Sequence, residues 1–160
     1  MSGWPEVLIG LQTPNDQQPG AVGIPEGADA PRQLEVYVIF TNTAGTLAAL
    51  QMADRLAKRL DARLQLLLAY EVPYTLPLTK PAVPVGFLEG QLRVLARKTP
   101  LEISAHIFLC RDKRRTLRLT LKPHSLVVIG GRKRWWPTEE QRLVSLLKQG
   151  GHHIVFAEMR

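Results

Sequence analysis

The sequence predicts an α/β fold, a doubly wound and mainly parallel β-sheet with helices on both faces. Between residues 34 and 160, five short apolar segments alternate with four amphipathic ones, in the order β-α-β-α-β-α-β-α-β. Strict alternation of this kind is typical of parallel sheets joined by crossover helices. Several apolar segments, residues 125–129 among them, run without charged interruption, as strands buried on both faces do.

Length and composition limit the class of protein. The 160 residues fit one domain, and 45% hydrophobic with 22% charged residues is ordinary for a soluble globular chain. No apolar run approaches the roughly 18 residues of a membrane span, and no secretory signal opens the chain. Cys110 is the only cysteine, which excludes a disulfide framework and a cysteine-based zinc site. We expect a cytoplasmic protein without a membrane partner.

The positive charge is unevenly distributed along the chain. The net charge is +7, but residues 1–33 carry −3, so residues 34–160 carry +10. A surplus of this size favours anionic partners such as nucleotides, nucleic acid or an acidic protein surface.

Residues 1–33 differ in composition from the rest. They contain five of the twelve prolines and five of the twelve glycines, which predicts a flexible leader. Residues 4–9 are apolar enough to dock on the domain or on a partner, but an untethered terminus is the simpler expectation. The folded domain is expected to span residues 34–160.

The first half of this domain reads as a β-α-β unit. Residues 35–40 are β-branched and aromatic and predict a central strand, which ends in polar residues suited to a turn or helix cap. Residues 44–60 have apolar positions on one helical face and charges on another. Residues 63–70 predict a second buried strand, which completes the unit.

A long proline-rich loop, a helix and a third strand follow. Four prolines between residues 73 and 84 exclude regular structure there, and residues 85–98 predict a helix. Residues 101–109 alternate apolar and polar side chains, which indicates a strand at an edge of the sheet. His106 falls on its polar face and is expected to be solvated.

The last part of the chain contains two helices and two strands. Asp112 is placed to cap a helix that ends near Lys122, before Pro123. Thr138 and Gln141 resemble a capping box that opens a helix to residue 149, and residues 153–158 form the final strand. One face of the earlier helix is strongly cationic and consists of Lys113, Arg114, Arg115, Arg118 and Lys122.

The strand at residues 125–129 leads into a glycine-rich basic loop. Gly130 and Gly131 permit a close backbone approach, and three cations and two tryptophans follow directly at residues 132–136. Such a turn is where α/β proteins often bind a phosphate or another anion. If this strand neighbours the first one, the loop faces residues 41–43 across the crevice where winding reverses.

Residues 34–159 resemble a universal stress protein domain of the adenine-nucleotide α-hydrolase-like superfamily. Two landmarks carry the resemblance. Arg111-Asp112 stands where the family usually has Gly-Asp, and residues 126–132 resemble the apolar run, Gly, small residue and basic residue that end its fourth strand. The resemblance implies a five-stranded sheet of order 3-2-1-4-5, counted from residue 35.

The resemblance also implies a candidate nucleotide site. Nucleotide-binding members carry Asp-Gly-Ser after the first strand, where this chain has Thr41-Asn42-Thr43. They also carry Gly-x-x-Gly, nine residues, then Gly and Ser or Thr. Gly130 matches the first glycine, but Lys133 replaces the second and Glu140-Gln141 falls near the last pair. The implied ligand is ATP or another adenine nucleotide, and the implied binding residues are Thr41, Asn42, Thr43, Val72, Gly130, Gly131, Arg132 and Lys133.

The sequence contains no motif typical of a catalytic site or a metal site. His152 and His153 are adjacent on a predicted strand and would point to opposite faces, so they are poorly placed to share a metal. Ser125 lacks a nucleophile-elbow pattern, and the Gly130 loop lacks the Gly-Lys-Ser/Thr of a phosphate-binding P-loop. We expect neither an enzyme nor a metal site.

Three functions remain open at this point. The first is a non-catalytic regulatory domain of universal-stress-protein type with a degenerate nucleotide motif. The second is a basic module for nucleic acid or another polyanion, and the third is a universal stress protein that binds ATP or AMP. A homodimer through the C-terminal strand is expected because an open apolar strand edge favours pairing. Trp135 and Trp136 are candidates for a protein-partner surface.

Overall fold

The computed structural model describes residues 7–11, 34–100, 102–132 and 138–159. Within these ranges six strands form one parallel sheet, and four helices cover its two faces. The strands are β1 (Val7–Leu11), β2 (Glu35–Ile39), β3 (Arg63–Glu71), β4 (Ile103–Cys110), β5 (Leu126–Gly131) and β6 (His153–Glu158). The helices are α1 (Thr43–Leu60), α2 (Val85–Ala96), α3 (Lys113–Thr120) and α4 (Glu139–Gln149).

The strand order is β1-β4-β3-β2-β5-β6, and every neighbouring pair is parallel. Counted from β2, the predicted order 3-2-1-4-5 is confirmed, as is the doubly wound α/β class. The winding reverses between β2 and β5, which are neighbours with Ile39 opposite Ile129. The carboxyl ends of these two strands therefore define the crevice anticipated from the sequence.

The sixth strand corrects the expectation of an untethered terminus. Val7–Leu11 pairs with β4 in parallel, from Val7 opposite Ala105 to Leu11 opposite Leu109. An extended segment at this place satisfies backbone N–H and C=O groups that an open edge of β4 would leave unpaired. The sheet thus includes residues before position 34, whereas residues 1–6 and 12–33 of the expected leader lie outside the described residues.

Strand β4 is an interior strand, so its prediction as an edge strand is wrong. It lies between β1 and β3, and seven of its eight residues are buried. His106, expected to be solvated, is only 4% exposed, and its Nε2 lies 2.9 Å from Oε1 of Gln65 on β3. The polar residue is tolerated inside because a second polar side chain meets it.

The two faces of the sheet carry separate cores. Val36 and Val38 point towards α1 and α2, whereas Tyr37 and Ile39 point towards α3 and α4. The first core contains Leu50 of α1 and Leu92 of α2, and the second contains Leu117, Leu143 and Leu147. This three-layer arrangement follows from the period-2 alternation of β2, which sends successive side chains to opposite faces.

A polar cluster joins three strands to the end of α3. The carboxylate of Glu35 is the centre of this cluster. Its Oε2 accepts from the Tyr37 hydroxyl at 2.7 Å and lies 3.2 Å from Lys122 Nζ. Its Oε1 accepts from Gln65 Nε2 at 3.3 Å. Burial alone would raise the pKa of the Glu35 carboxyl, but hydrogen bonds from Tyr37 and Lys122 outweigh it and hold that pKa below its usual value. Gln65 extends the cluster to His106.

The helix starts follow the capping signals in the sequence. Asn42 Oδ1 accepts from the Gly45 N–H at 2.7 Å, and Asp112 Oδ1 accepts from the Arg115 N–H at 3.1 Å. Thr138 and Gln141 form the predicted capping box. None of the helices within the described residues is long and apolar enough to cross a membrane.

Candidate ligand crevice

The end of β2 meets the end of β5 at the winding reversal. Thr41 follows β2, and its hydroxyl donates to the Gly130 carbonyl oxygen at 3.0 Å. The Thr41 N–H in turn donates to Thr46 Oγ1 at 3.1 Å. The structure therefore brings the two predicted halves of the site together, but the hydroxyl of Thr41 is already used within the protein.

Gly130 provides a close contact with helix α1. A Cβ added at Gly130 would lie 1.8 Å from the carbonyl oxygen of Gly45, and one added at Gly45 would lie 2.8 Å from the carbonyl oxygen of Gly130. No side chain fits at such distances, so both glycines are needed for the first turn of α1 to lie against β5. From the sequence, Gly130 was expected to let the backbone approach a phosphate. In the structure Gly130 is required for the packing of α1 against β5.

Asn42 and Thr43 also take part in building α1. The Asn42 side chain is the N-cap, so its amide oxygen is bonded to the Gly45 N–H. Thr43 is the first residue of the helix and its side chain is exposed. Among Thr41, Asn42 and Thr43, Thr43 alone keeps a polar side chain for which the described residues provide no hydrogen bond.

The start of α4 closes the crevice from the other side. Gly131 lies beneath it, since an added Cβ would be 3.4 Å from the Glu140 side chain and 3.3 Å from the Phe156 ring. Glu139 and Glu140 occupy the first turn, where carboxylates stabilise the helix through its dipole. The same two charges repel a phosphate from that position, because an anion already complements the helix terminus.

Little space is left between these elements. A pocket of about 40 Å³ lies between Thr41, Lys113, Arg114, Glu139, Glu140 and Leu143. Ligand sites usually measure roughly 300–1,000 Å³, whereas one water takes about 30 Å³. The pocket in the described part of the crevice is thus several-fold smaller than a usual ligand site. Arg132 is exposed beside it, and Lys133, Trp135 and Trp136 lie outside the described residues.

Val72 is built into the core at the carboxyl end of β3. Its side chain is 1% exposed, and its N–H donates to the Cys110 carbonyl oxygen at 2.8 Å. Its carbonyl oxygen accepts from Arg111 Nη1 at 3.0 Å. The side chain and the N–H of Val72 are therefore engaged inside the protein, which leaves little of this predicted site residue for a ligand.

Arg111 has a role that the sequence reasoning missed. The same Nη1 donates to the carbonyl oxygens of Pro73, at 2.6 Å, and Leu76, at 2.9 Å, and the guanidinium lies 5.1 Å from the Tyr74 ring centre. Through these hydrogen bonds Arg111 holds the proline-rich loop against the ends of β3 and β4. The sequence signal that could have revealed this role is the position of Arg111 directly after a predicted strand.

Helix α3 presents three free cations. Arg114, Arg115 and Arg118 are exposed and form no salt bridge among the residues that the structure describes. We call these three the α3 basic face. Lys122, also assigned to this face from the sequence, pairs with Glu35 instead.

The nucleophile and metal candidates are poorly suited to chemistry. Burial raises the pKa of the Cys110 thiol, and its side chain is 1% exposed. Burial, with a smaller effect from His124, lowers the pKa of His152, and its Nδ1 accepts from the Ser125 N–H at 3.2 Å. The described ranges contain no group of three or more His, Cys, Asp or Glu placed to hold a metal ion.

Two solved structures share this fold. The first is the universal stress protein UspA from Lactobacillus plantarum, with a TM-score of 0.57 and 13% identity over 81% of this chain and all of that chain. The second is a universal stress protein in complex with cAMP, with a TM-score of 0.50 and 16% identity over 78% of this chain and 96% of that one. No protein-family model and no curated protein matches the sequence. The fold is therefore that of universal stress proteins.

The Gly45–Gly130 contact predicts a sharp difference between two glycine substitutions. Gly130→Ala should lower the free energy of unfolding by about 3 kcal/mol or more, because the new methyl group overlaps backbone atoms. The matched control is Gly90→Ala in α2, where nothing lies within 4 Å of the added Cβ, and it should stabilise by about 1 kcal/mol. Urea denaturation measures both. Equal stability of the two variants would contradict the packing role.

Proposed function

We propose that this chain is a non-catalytic regulatory domain of universal-stress-protein type that does not bind an adenine nucleotide in its crevice. The observation that carries the proposal is the close packing within the described part of the crevice, where Gly45 lies against Gly130 and the pocket measures about 40 Å³. The shared fold supports the class of domain. The proposal includes a cytoplasmic location, which fits a single buried thiol without a disulfide partner.

Charge at the crevice supports the same reading. A phosphate at the start of α4 would meet the carboxylates of Glu139 and Glu140, and the backbone there is already capped by Thr138. Arg132 is exposed nearby, and Lys113 and Arg114 line the same pocket. These cations lie outside the first turn of α4, where the two carboxylates oppose a phosphate at the helix terminus.

A nucleotide screen by thermal shift tests the proposal. ATP, AMP and cAMP at millimolar concentration should leave the melting temperature unchanged, since a ligand raises it only by binding the folded state. A universal stress protein known to bind cAMP, measured in parallel, shows that the assay detects binding. A rise with any of the three nucleotides would overturn the proposal.

The α3 basic face favours a second candidate function, a module that binds nucleic acid or another polyanion. Arg114, Arg115 and Arg118 lie on one exposed surface without acidic partners among the described residues. Arginine binds phosphate through a planar fork of donors, so three of them along a helix suit a phosphate backbone. Arg114 also lines the small pocket of the crevice, whereas Arg115 and Arg118 do not.

The second candidate predicts binding that depends steeply on salt. Replacing Arg114, Arg115 and Arg118 together by Gln should weaken binding to a single-stranded oligonucleotide and reduce the slope of log K against log salt by about 2, or about 0.7 for each lost phosphate contact. Fluorescence anisotropy between 50 and 200 mM salt measures this slope.

The matched control removes the same charge from the other side of the sheet. Arg59, Arg93 and Arg97, which are exposed on the side of α1 and α2, are replaced together by Gln. This variant should keep most of the affinity of the unmodified protein. If both triple variants weakened binding equally, the loss would be explained by net charge alone. The α3 basic face would then not be a specific binding site.

Self-association through β6 is part of the proposal. Strand β6 is the outer strand of the sheet beyond β5, and Ile154, Val155 and Phe156 are only partly buried. A free strand edge with apolar side chains favours pairing with a second copy. The protein-partner surface proposed at Trp135 and Trp136 rests on sequence alone.

A homodimer should have twice the 17.9 kDa mass of the chain. Multi-angle light scattering across a concentration series measures the mass directly, and the expected result is a shift towards the dimer as concentration rises. A constant monomer mass up to the highest soluble concentration would reject association through β6.

A further inference from the structure

A second concave site lies on the opposite side of the sheet from the α3 basic face. It is a groove of about 380 Å³ between the middle of α1 and the segment that follows α2. Its volume falls at the lower end of the range of small-molecule sites, roughly 300–1,000 Å³. The groove shares no lining residue with the crevice at the ends of β2 and β5.

The floor of the groove is apolar. Leu50 is a core residue with 1% exposure, and Leu47 is partly buried and packs against the same core. A ligand that covers Leu47 and the exposed Pro100 removes apolar surface from water, which is worth about 25 cal/mol per Å², whereas Leu50 is already almost fully buried. The floor therefore suits a hydrocarbon portion of a ligand.

The rim of the groove is cationic. Arg55 and Lys98 line it, are exposed, and form no salt bridge among the described residues. The only acid in the lining, Asp54, is already engaged, since its carboxylate accepts from Lys58 Nζ at 2.9 Å and from the Thr99 hydroxyl at 3.0 Å. The two rim cations consequently lack a counter-charge within the groove.

We propose that this groove binds a small amphipathic anion, namely a carboxylate carried on an aliphatic chain. The chain would cover Leu47 and Pro100, and the carboxylate would lie between Arg55 and Lys98. A guanidinium binds a carboxylate through two parallel hydrogen bonds, and the lysine adds a point charge. The side-chain amide of Gln51, also in the lining, is a further donor. The proposed site does not depend on the function proposed above.

Titration of the full chain with octanoate tests the site. Two-dimensional ¹H–¹⁵N NMR should show saturable shifts concentrated at residues 47–55 and 98–100. The neutral analogue 1-octanol should bind at least tenfold more weakly, because the rim charges then have no partner. Absence of shifts at millimolar octanoate, or shifts scattered over the whole surface, would overturn the proposal.

Substitution of the rim cations provides the decisive comparison. Arg55→Gln with Lys98→Gln should weaken octanoate binding by about tenfold, which is about 1.4 kcal/mol at 25 °C. The control pair, Arg142→Gln with Lys148→Gln, removes an exposed arginine and an exposed lysine from α4 and should leave the affinity unchanged. An equal effect of both pairs, or no effect of the first, would reject the site.

A filling variant separates the groove from long-range electrostatics. Gln51 is exposed on α1, so Gln51→Phe should place a ring in the groove without entering the core. Octanoate binding should then be lost while the melting temperature stays close to that of the unmodified protein. Retention of full affinity in a folded Gln51→Phe variant would contradict the proposed position of the ligand.

Discussion

The contact between Gly45 and Gly130 is the constraint on which the crevice depends. It brings the first turn of α1 against the carboxyl end of β5, with Thr41 bonded to the Gly130 carbonyl oxygen beside it. Neither glycine has room for a side chain, so the helix and the strand approach as closely as backbones can. Because this contact lies where the winding reverses, it determines how much space remains for a ligand.

Residues that resemble a nucleotide site are used here for intramolecular contacts. Asn42 caps α1, Arg111 binds three carbonyl oxygens around the proline-rich loop, and Glu139 and Glu140 complement the start of α4. Each of these groups has a partner or a role within the protein. The fold of a universal stress protein is thus retained with a crevice that stabilises the domain.

Exposed cations without a salt bridge among the described residues lie on both sides of the sheet. Arg114, Arg115 and Arg118 project from α3 on one side of the sheet, and Arg55 and Lys98 border an apolar groove on the other side. The two surfaces suit different anions, since a row of arginines on a helix matches a phosphate backbone and a groove with an apolar floor matches a small amphipathic molecule. Exposed cations among the described residues therefore lie on both faces of the sheet.

The sequence by itself determined the alternation of strands and helices, the doubly wound class and the capping residues Asn42, Asp112 and Thr138. These features depend on period and on partners three residues apart, which a sequence displays directly. Only the tertiary structure decided that β1 covers β4, that His106 is buried against Gln65, and that Gly130 serves helix packing. Such contacts join distant positions, as Thr41 and Gly130 are 89 residues apart, and the residue types alone fit either a ligand or a neighbouring backbone.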